Sequence, residues 1–242
     1  RETVDEYGLA PHLRFNHRVT RIEWDSASAR WTATVDRGEA EPLLVVCRFL
    51  YMCTGYYSYS QPYMPDFPGR ERFRGPFFHP QFWPEDLDYA GKRTVVIGSG
   101  ATAVTIVPAM CQSGAGHVTM LQRSPTWFVS RPARDRFANT LRKVLPESAA
   151  YAVTRFKNIN WQQWFYNMTQ RKPEKVKEKL LKMTAEALPP GYDVATHFTP
   201  RYNPWEQRLC LVPDADFFEA IKSGKADVVT DHIDHIDETG IM

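Results

Sequence analysis

A glycine-rich turn between a short strand and a helix, within residues 94–110, constrains the fold more than any other stretch. The apolar strand covers residues 94–97, and the turn reads Gly98-Ser-Gly100-Ala-Thr-Ala103. Gly98 suits a tight turn, Gly100 lets the backbone approach a pyrophosphate, and Ala103 allows the helix to pack closely on the strand. The free N–H groups and partial positive charge at the start of the helix favour phosphate groups. The residues predicted to contact a nucleotide here are Gly98, Ser99, Gly100, Ala101, Thr102 and Ala103.

A second strand, residues 117–121, follows this helix and ends in Gln122-Arg123-Ser124-Pro125. About 20 residues beyond the glycines, an NAD site carries an Asp or Glu that binds the ribose 2′-hydroxyl. Here Arg123 can instead pair with a 2′-phosphate, and Ser124 can hydrogen-bond to it. The sequence therefore predicts NADPH rather than NADH, with a solvated surface arginine as the alternative interpretation of Arg123.

Composition excludes several classes of protein. The chain has 242 residues, of which 43% are hydrophobic and 24% charged, as in one large or two small globular domains. A net charge of +2 predicts no nucleic-acid partner. The four cysteines show neither metal-ligand nor C-x-x-C spacing, which suits a reducing, cytoplasmic location and predicts no metal site. No apolar run is long enough for a transmembrane segment.

Residues 13–58 read as a meander followed by a buried strand. Residues 19–24 and 30–35 alternate apolar and polar side chains, whereas residues 43–52 are mostly apolar. The apolar stretch ends in Cys53-Thr54-Gly55, and a small-residue turn after a parallel strand is where open α/β sheets bind ligands. Thr54 and Gly55 are therefore candidate cofactor residues, with an ordinary strand-ending glycine as the alternative.

Residues 73–84 form a segment rich in aromatic residues and proline, which reads F-R-G-P-F-F-H-P-Q-F-W-P. Its prolines lack a backbone N–H and restrict the preceding residue, so a continuous helix is not expected. We expect a rigid, irregular linker over residues 61–91, whose rings hold it in place or cover the edge of a core. The positions that matter most are Phe73, Gly75, His79, Trp83 and Pro84.

The remaining residues read mainly as helices. Residues 147–170 and 173–188 are predicted helices, residues 192–213 a loop, residues 216–223 a short helix and residues 226–236 a strand. The aromatic stretch at residues 159–168 is interpreted by default as core. A partner face or a peripheral contact with a membrane remains open.

The motifs occur together in a characteristic order. The spacing F-x-G-x-x-x-H-x-x-x-W-P, the glycine-rich turn, Arg123-Ser124 and the loop N-P-W-E-Q-R at residues 203–208 resemble Baeyer–Villiger monooxygenases, which use FAD and NADPH. Stretches such as F-P-G-R-E-R-F and H-F-T-P-R-Y-N-P-W are most similar to the actinobacterial ethionamide-activating type. The resemblance covers nearly the whole chain and identifies it as a central fragment.

The resemblance implies an α/β fold of the kind found in flavoproteins with two dinucleotide-binding domains. Residues 1–60 would belong to a partial FAD-binding domain, with Thr54 and Gly55 at its exit. Residues 61–130 and 204–242 would form a Rossmann-like NADPH domain, into which residues 131–203 insert a helical segment. In this family reduced FAD reacts with O2 to give a peroxyflavin, which inserts oxygen into a ketone or oxidises sulfur in a sulfide or thioamide.

The same resemblance assigns individual roles. Arg208 matches the active-site arginine, which would hold the nicotinamide and stabilise the anionic peroxyflavin. His79 would couple the position of the linker to cofactor binding. Two departures from the family pattern are Gln207, where relatives often carry Lys, and the lack of an N-terminal glycine-rich turn for FAD.

Two alternatives remain open at this point. One is a flavin N- or S-monooxygenase, although the related fingerprint of those enzymes usually ends in Phe or Tyr rather than in Trp83-Pro84. The other is a non-catalytic NADPH-binding fragment without flavin. The sequence does not indicate the oligomeric state.

Overall fold

The computed structural model describes residues 2–207 and 209–242. The chain divides into two compact units, with the boundary between Tyr63 and Met64.

The first unit is built on a three-stranded antiparallel meander. Helix α1 (Glu2–Glu6) precedes strands β1 (Arg18–Asp25), β2 (Arg30–Arg37) and β3 (Ala40–Cys47), which pair in the order β1-β2-β3. The Asp25 carboxylate accepts the backbone N–H groups of Ala27 and Ser28 and thereby closes the β1–β2 turn. Hydrogen bonding from the Ser28 hydroxyl is the main cause that lowers the pKa of Asp25. The predicted alternating strands are thus confirmed.

The predicted buried strand at residues 43–52 is wrong in length, pairing and burial. Strand β3 ends at Cys47 and pairs antiparallel with β2. The side chains of Leu44 and Val46 are 62% and 61% exposed. The apolar run predicts a buried strand, but among the described residues β3 is an edge strand and residues 48–52 have no strand partner.

The second unit begins with the irregular linker, which contains two short 3-10 turns, Arg70–Arg72 and Pro80–Phe82. The linker is therefore not a continuous helix, as the prolines predict. The second unit continues after the linker with β4 (Arg93–Ile97), α2 (Ala101–Gln112), β5 (His117–Gln122), β6 (Trp127–Arg131), α3 (Arg136–Val144), α4 (Glu147–Arg171), α5 (Pro173–Ala187), α6 (Val194–Phe198), β7 (Leu209–Pro213), α7 (Asp216–Lys222) and β8 (Ala226–Thr230).

A parallel sheet of order β4-β5-β8 carries the glycine-rich turn. Helices α2 and α7 pack on it and bury a core that includes Val107, Val118 and Met120. Phe128 stacks on Phe217 with ring centroids 5.5 Å apart, which extends the core to β6 and α7. Strand β8 ends at Thr230, earlier than the predicted residue 236, because the chain beyond it makes only an isolated bridge at Ile236.

A second parallel pair, β6 and β7, was not predicted. Trp127 lies opposite Leu209. Residues 209–213 belong to the predicted loop 192–213, and the sequence predicts no strand at residues 127–131. Trp127 is buried, and its indole N–H donates to the carbonyl of Tyr202 at 2.9 Å. Val176 and Leu180 of α5 complete this smaller core.

Within the described part of the chain, no helix combines the length and the apolar character needed to cross a bilayer. No group of three or more His, Cys, Asp or Glu residues in that part could hold a metal ion.

Candidate functional site

The glycine-rich turn joins β4 to α2 with the backbone that a phosphate cradle requires. Gly98 has φ +126°, a conformation that side-chain-bearing residues rarely adopt, and its N–H donates to the carbonyl of Leu121 at 2.7 Å. Gly100 is the N-cap of α2 in an extended conformation and offers no side chain to the helix. The first N–H groups of α2 therefore remain available for an anion, while Ala103 is buried against the sheet.

The end of β5 lies directly beside this turn. The Ser99 hydroxyl donates to the carbonyl of Ser124 at 3.4 Å. On the other side, the buried Cys210 of β7 contacts the carbonyl of Ser99 through its thiol at 3.8 Å. The structure thus brings Ser99 and Ser124, which were predicted separately, into direct contact.

Arg123 is an exposed cation at this edge. Its side chain is exposed and makes no hydrogen bond or ion pair with any other described residue. The adjacent Ser124 is also exposed. An unpaired guanidinium next to an exposed hydroxyl at the carboxyl end of a parallel strand can receive a phosphate group.

Gln122 supports this strand end and was missed as a site residue by sequence analysis. It is 1% exposed, and its amide donates at 2.8 Å both to the carbonyl of His197 and to the hydroxyl of Thr230. The imidazole Nδ1 of His197 lies 2.9 Å from the same hydroxyl. The signal that could have indicated Gln122 is its position as a polar residue directly after an apolar strand. A polar side chain that is buried there must find hydrogen-bond partners.

The amide oxygen of Gln122 has no hydrogen-bond partner among the described residues. The backbone immediately before Arg123 is therefore held by the two hydrogen bonds that the Gln122 amide donates and by the Gln122 carbonyl, which accepts the N–H of Asp231 at 3.0 Å.

The fingerprint residues are held mainly by contacts among neighbours in the linker. A Cβ atom on Gly75 would come within 2.7 Å of two carbon atoms of the Phe73 ring, so glycine allows that ring to lie over the backbone. The Nδ1 atom of His79 accepts the backbone N–H of Gln81 at 3.1 Å and caps the second 3-10 turn. In the described residues, no hydrogen bond, ion pair or ring contact joins the fingerprint residues to the glycine-rich turn.

Trp83 links the fingerprint to the core of the second unit. Its ring meets Phe78 edge-on at 5.2 Å and Tyr89 edge-on at 6.0 Å. Tyr89 in turn packs against the main core. Pro84 follows at once and is partly buried.

The linker is also attached to the C-terminal turn, a contact that sequence analysis did not predict. The carbonyl of Pro68 accepts the N–H of Ile236 at 2.7 Å, and Arg74 forms an ion pair with Glu238 at 3.1 Å. Gly69 has φ +79°, and a Cβ atom there would overlap with the carbonyl oxygen of Ile236. The close approach of the two backbones therefore requires glycine.

The loop that precedes β7 is closed by local hydrogen bonds. The backbone N–H and the side-chain amide of Asn203 donate to the Glu206 carboxylate at 2.8 Å and 2.6 Å. These bonds hold the pKa of Glu206 below its usual value. The predicted catalytic residue Arg208 lies outside the described residues.

Thr54 and Gly55 lie in the first unit, in an exposed turn after β3. Gly55 has φ +70°, and the Thr54 carbonyl accepts the hydroxyl of Tyr59 at 3.1 Å. Their expected position at the end of a buried parallel strand is wrong, because β3 ends at Cys47. The β4–α2 turn, in contrast, combines the uncapped N–H groups of α2 with the exposed guanidinium of Arg123, which together can receive phosphate groups.

Comparison with known proteins gives one consistent result. A family model described as flavin-binding monooxygenase-like matches residues 1–189. The FAD-containing monooxygenase EthA of Mycobacterium tuberculosis is 50% identical over 241 residues, which cover 100% of this chain and 49% of EthA. The probable FAD-binding monooxygenase AlmA of Acinetobacter baylyi is 49% identical over 241 residues, covering 100% of this chain and 48% of AlmA.

The crystal structure of an oxidized steroid monooxygenase bound to NADP superposes with a TM-score of 0.70 and 23% identity, over 100% of this chain and 51% of that chain. At this identity the likeness establishes the fold alone, and it confirms the expected α/β fold class.

The chain spans about half the length of the curated relatives it matches. The match to flavin monooxygenases confirms the resemblance drawn from the fingerprint and the glycine-rich turn. Because the family model covers well over half of its residues, the chain belongs to the flavin-binding monooxygenase-like family.

Proposed function

We propose that this chain is the pyridine-nucleotide-binding part of an FAD- and NADPH-dependent monooxygenase of the Baeyer–Villiger type. The observation that carries the proposal is the uncapped start of α2, which lies beside a strand end bearing the unpaired Arg123. Two similarities support it, since EthA is named as an FAD-containing monooxygenase and the steroid monooxygenase was crystallised with NADP.

The nucleotide would be bound from two sides. The backbone N–H groups of residues 101–103 would receive the pyrophosphate, because the α2 N-terminus has neither a capping side chain nor a nearby carboxylate in its first turn. Arg123 would pair with the 2′-phosphate and Ser124 would hydrogen-bond to it. The buried Gln122 would keep this strand end in place.

The flavin would supply oxygen activation when it is bound. Thr54 and Gly55 would contact FAD at the exit of the first unit. Arg208 would hold the nicotinamide through its permanent positive charge. The substrates would be small molecules that contain a ketone, a sulfide or a thioamide, together with O2.

The chain would be divided into the same domains as the resemblance to Baeyer–Villiger monooxygenases implies. Residues 1–60 would form part of the FAD domain, residues 61–130 and 204–242 the NADPH domain, and residues 131–203 the helical insertion. The protein would act in the cytoplasm, where its cysteines would stay reduced.

The test of the activity uses the longer protein that contains this chain, purified with FAD. We expect NADPH oxidation and O2 consumption to rise when a ketone or a sulfide is added, with the ester or sulfoxide as product. An Arg208→Ala variant should retain FAD but lose product formation. Failure of the wild-type protein to couple NADPH oxidation to either product would contradict the proposal.

A second test asks whether this chain alone binds FAD or binds only the pyridine nucleotide. The 242-residue chain is purified in the presence of FAD and desalted, and its visible absorption is recorded. We expect a colourless protein that binds NADPH. A retained flavin band would show that this chain alone forms an FAD site, and oxygenase assays would then be made on it directly.

A further inference from the structure

An open groove of about 350 Å3 lies between helices α3 and α4, away from the glycine-rich turn. Arg142 of α3 and Arg155 of α4 line it. Both side chains are exposed, and neither makes a hydrogen bond or ion pair with another described residue. Two unpaired guanidinium groups that share one groove favour an anion with several acceptor oxygens.

The other groove residues combine polar and apolar groups. Thr154, Asn158 and Gln162 provide hydroxyl and amide donors. Tyr151 and Ile159, which are 62% and 50% exposed, provide apolar surface. The groove therefore suits a ligand that carries a phosphate group next to an apolar part.

The charge of this region differs from that of the rest of the chain. Residues 131–171 contain eight Lys or Arg residues and two Asp or Glu residues, a net charge of +6. The whole chain carries +2, so the remaining residues carry −4. The positive charge is thus concentrated on α3, α4 and the segment before them, which gives this region complementarity to an anionic surface.

Helix α4 is also unusually rich in exposed rings. Phe156 is 72% exposed. Within residues 159–168, Trp164 and Tyr166 are 55% and 45% exposed, whereas Phe165 and Met168 pack against the smaller core. The default interpretation of that stretch as core is therefore wrong for its exposed rings. The guanidinium of Arg131 lies 3.5 Å from the centroid of the Trp161 ring, and the Lys157 ammonium lies 4.6 Å from that of Phe137. Basic groups beside aromatic rings are typical of protein surfaces at a membrane–water interface.

We propose that helices α3 and α4 bind the surface of a membrane that contains anionic phospholipid. The phosphate group of one lipid occupies the groove between Arg142 and Arg155. The apolar part of the same lipid contacts Tyr151 and Ile159. A lipid accounts for both the cationic groove and the exposed rings, since peripheral segments combine apolar contact with attraction to anionic headgroups. The proposal does not depend on the proposed monooxygenase activity.

The test is co-sedimentation of the 242-residue chain with vesicles, without nucleotide or flavin. The vesicles consist of phosphatidylcholine alone or of about three parts phosphatidylcholine to one part phosphatidylglycerol, in about 0.1 M NaCl. We expect sedimentation with the anionic vesicles only. Because exposed charges are screened by salt, binding should weaken strongly at about 0.5 M NaCl.

Matched variants separate the groove from general charge. Arg142→Gln/Arg155→Gln should weaken binding to the anionic vesicles by about tenfold or more, since each basic residue near an anionic surface contributes to binding. Lys175→Gln/Lys179→Gln removes the same charge from exposed positions of α5 and should change binding by less than about twofold. Tyr151→Ser/Ile159→Ser keeps the charge and should also weaken binding. Circular dichroism and thermal unfolding establish that each variant is folded.

Several results would overturn the proposal. Sedimentation with neither vesicle would do so, as would equal losses in the groove variant and the α5 control. A loss of binding in millimolar inorganic phosphate, at constant ionic strength, would assign the groove to a soluble anion. Self-association in analytical ultracentrifugation without vesicles, abolished by Arg142→Gln/Arg155→Gln, would assign the groove to a second copy of the chain.

Discussion

Replacement of Gly69 by alanine tests how the linker is attached to the second unit. Gly69 has φ +79°, and its Cβ atom would overlap with the carbonyl oxygen of Ile236. This carbonyl belongs to a residue that is 1% exposed and whose N–H donates to Pro68 at 2.7 Å. The two backbones must therefore separate to admit one methyl group.

The expected cost has two parts. An L-residue in the left-handed region costs about 1–2 kcal/mol. Separation of the backbones loses the hydrogen bond between Ile236 and Pro68, which contributes about 1 kcal/mol. We therefore expect Gly69→Ala to lower the free energy of unfolding of the second unit by about 2–3 kcal/mol.

Gly191 offers a matched control in the same unit. Its φ is +82°, but an added Cβ atom would meet no atom within 4 Å. Gly191→Ala should therefore cost only the conformational part, about 1–2 kcal/mol. Urea unfolding followed by circular dichroism measures both variants, and amide hydrogen exchange reports the Ile236 N–H directly.

The exchange of the Ile236 amide should accelerate in Gly69→Ala and remain unchanged in Gly191→Ala. Equal destabilisation by the two substitutions, together with full protection of the Ile236 amide in both, would refute the close approach of the two backbones.

Three further predictions concern the nucleotide site, the smaller core and the start of α3. Gly98→Ala, at φ +126°, should weaken NADP+ binding by about tenfold or more in calorimetry, because the turn can no longer adopt its conformation without strain. Trp127→Phe removes the 2.9 Å hydrogen bond to the Tyr202 carbonyl from a buried site and should cost about 2–3 kcal/mol in urea unfolding; a loss below about 0.5 kcal/mol would contradict that contact. The hydrogen bond from Lys157 is the main cause that lowers the pKa of Asp135 in the folded chain. The stability that this ion pair gives is therefore fully present above the ordinary pKa of an aspartate, and it is lost as the pH falls through the lowered pKa of Asp135. In Lys157→Gln the pKa of Asp135 should rise toward its ordinary value in an NMR titration, and an unchanged titration would show that the ion pair has no influence.

The sequence correctly predicted the turn and the helices whose conformation depends on residues close together in the chain. The β4–α2 turn was predictable because Gly98 and Gly100 stand between an apolar strand and a helix, and Gly98 has φ +126°, which residues with a side chain rarely adopt. The predicted helix 147–170 corresponds to α4, Glu147–Arg171. The predicted helix 173–188 corresponds to α5, Pro173–Ala187, since Pro173 suits a first helical turn.

Contacts between distant segments were not predictable in the same way. Strands β6 and β7 pair across about 80 residues, so no local period reports their register. Gly69 is an ordinary turn glycine in the sequence, and only the position of Ile236 shows why it is needed. An apolar run also does not state whether its strand is central or at an edge, which explains the error at residues 43–52.

The candidate site shows the same division. The proposed phosphate-binding residues follow from their spacing, whereas the support of Arg123 by the buried Gln122 depends on Thr230 and on His197, both far away in the sequence. The exposure of Trp164 likewise could not be read from its aromatic surroundings, which are equally typical of a core.

The central claim is that this chain binds a phosphorylated pyridine nucleotide through the start of α2 and Arg123. Isothermal titration calorimetry of the 242-residue chain with NADP+ and NAD+ tests it most directly. We predict clearly tighter binding of NADP+, and in Arg123→Gln a loss of that preference with unchanged affinity for NAD+. No binding of either nucleotide, or equal affinities in the wild-type chain, would contradict the claim.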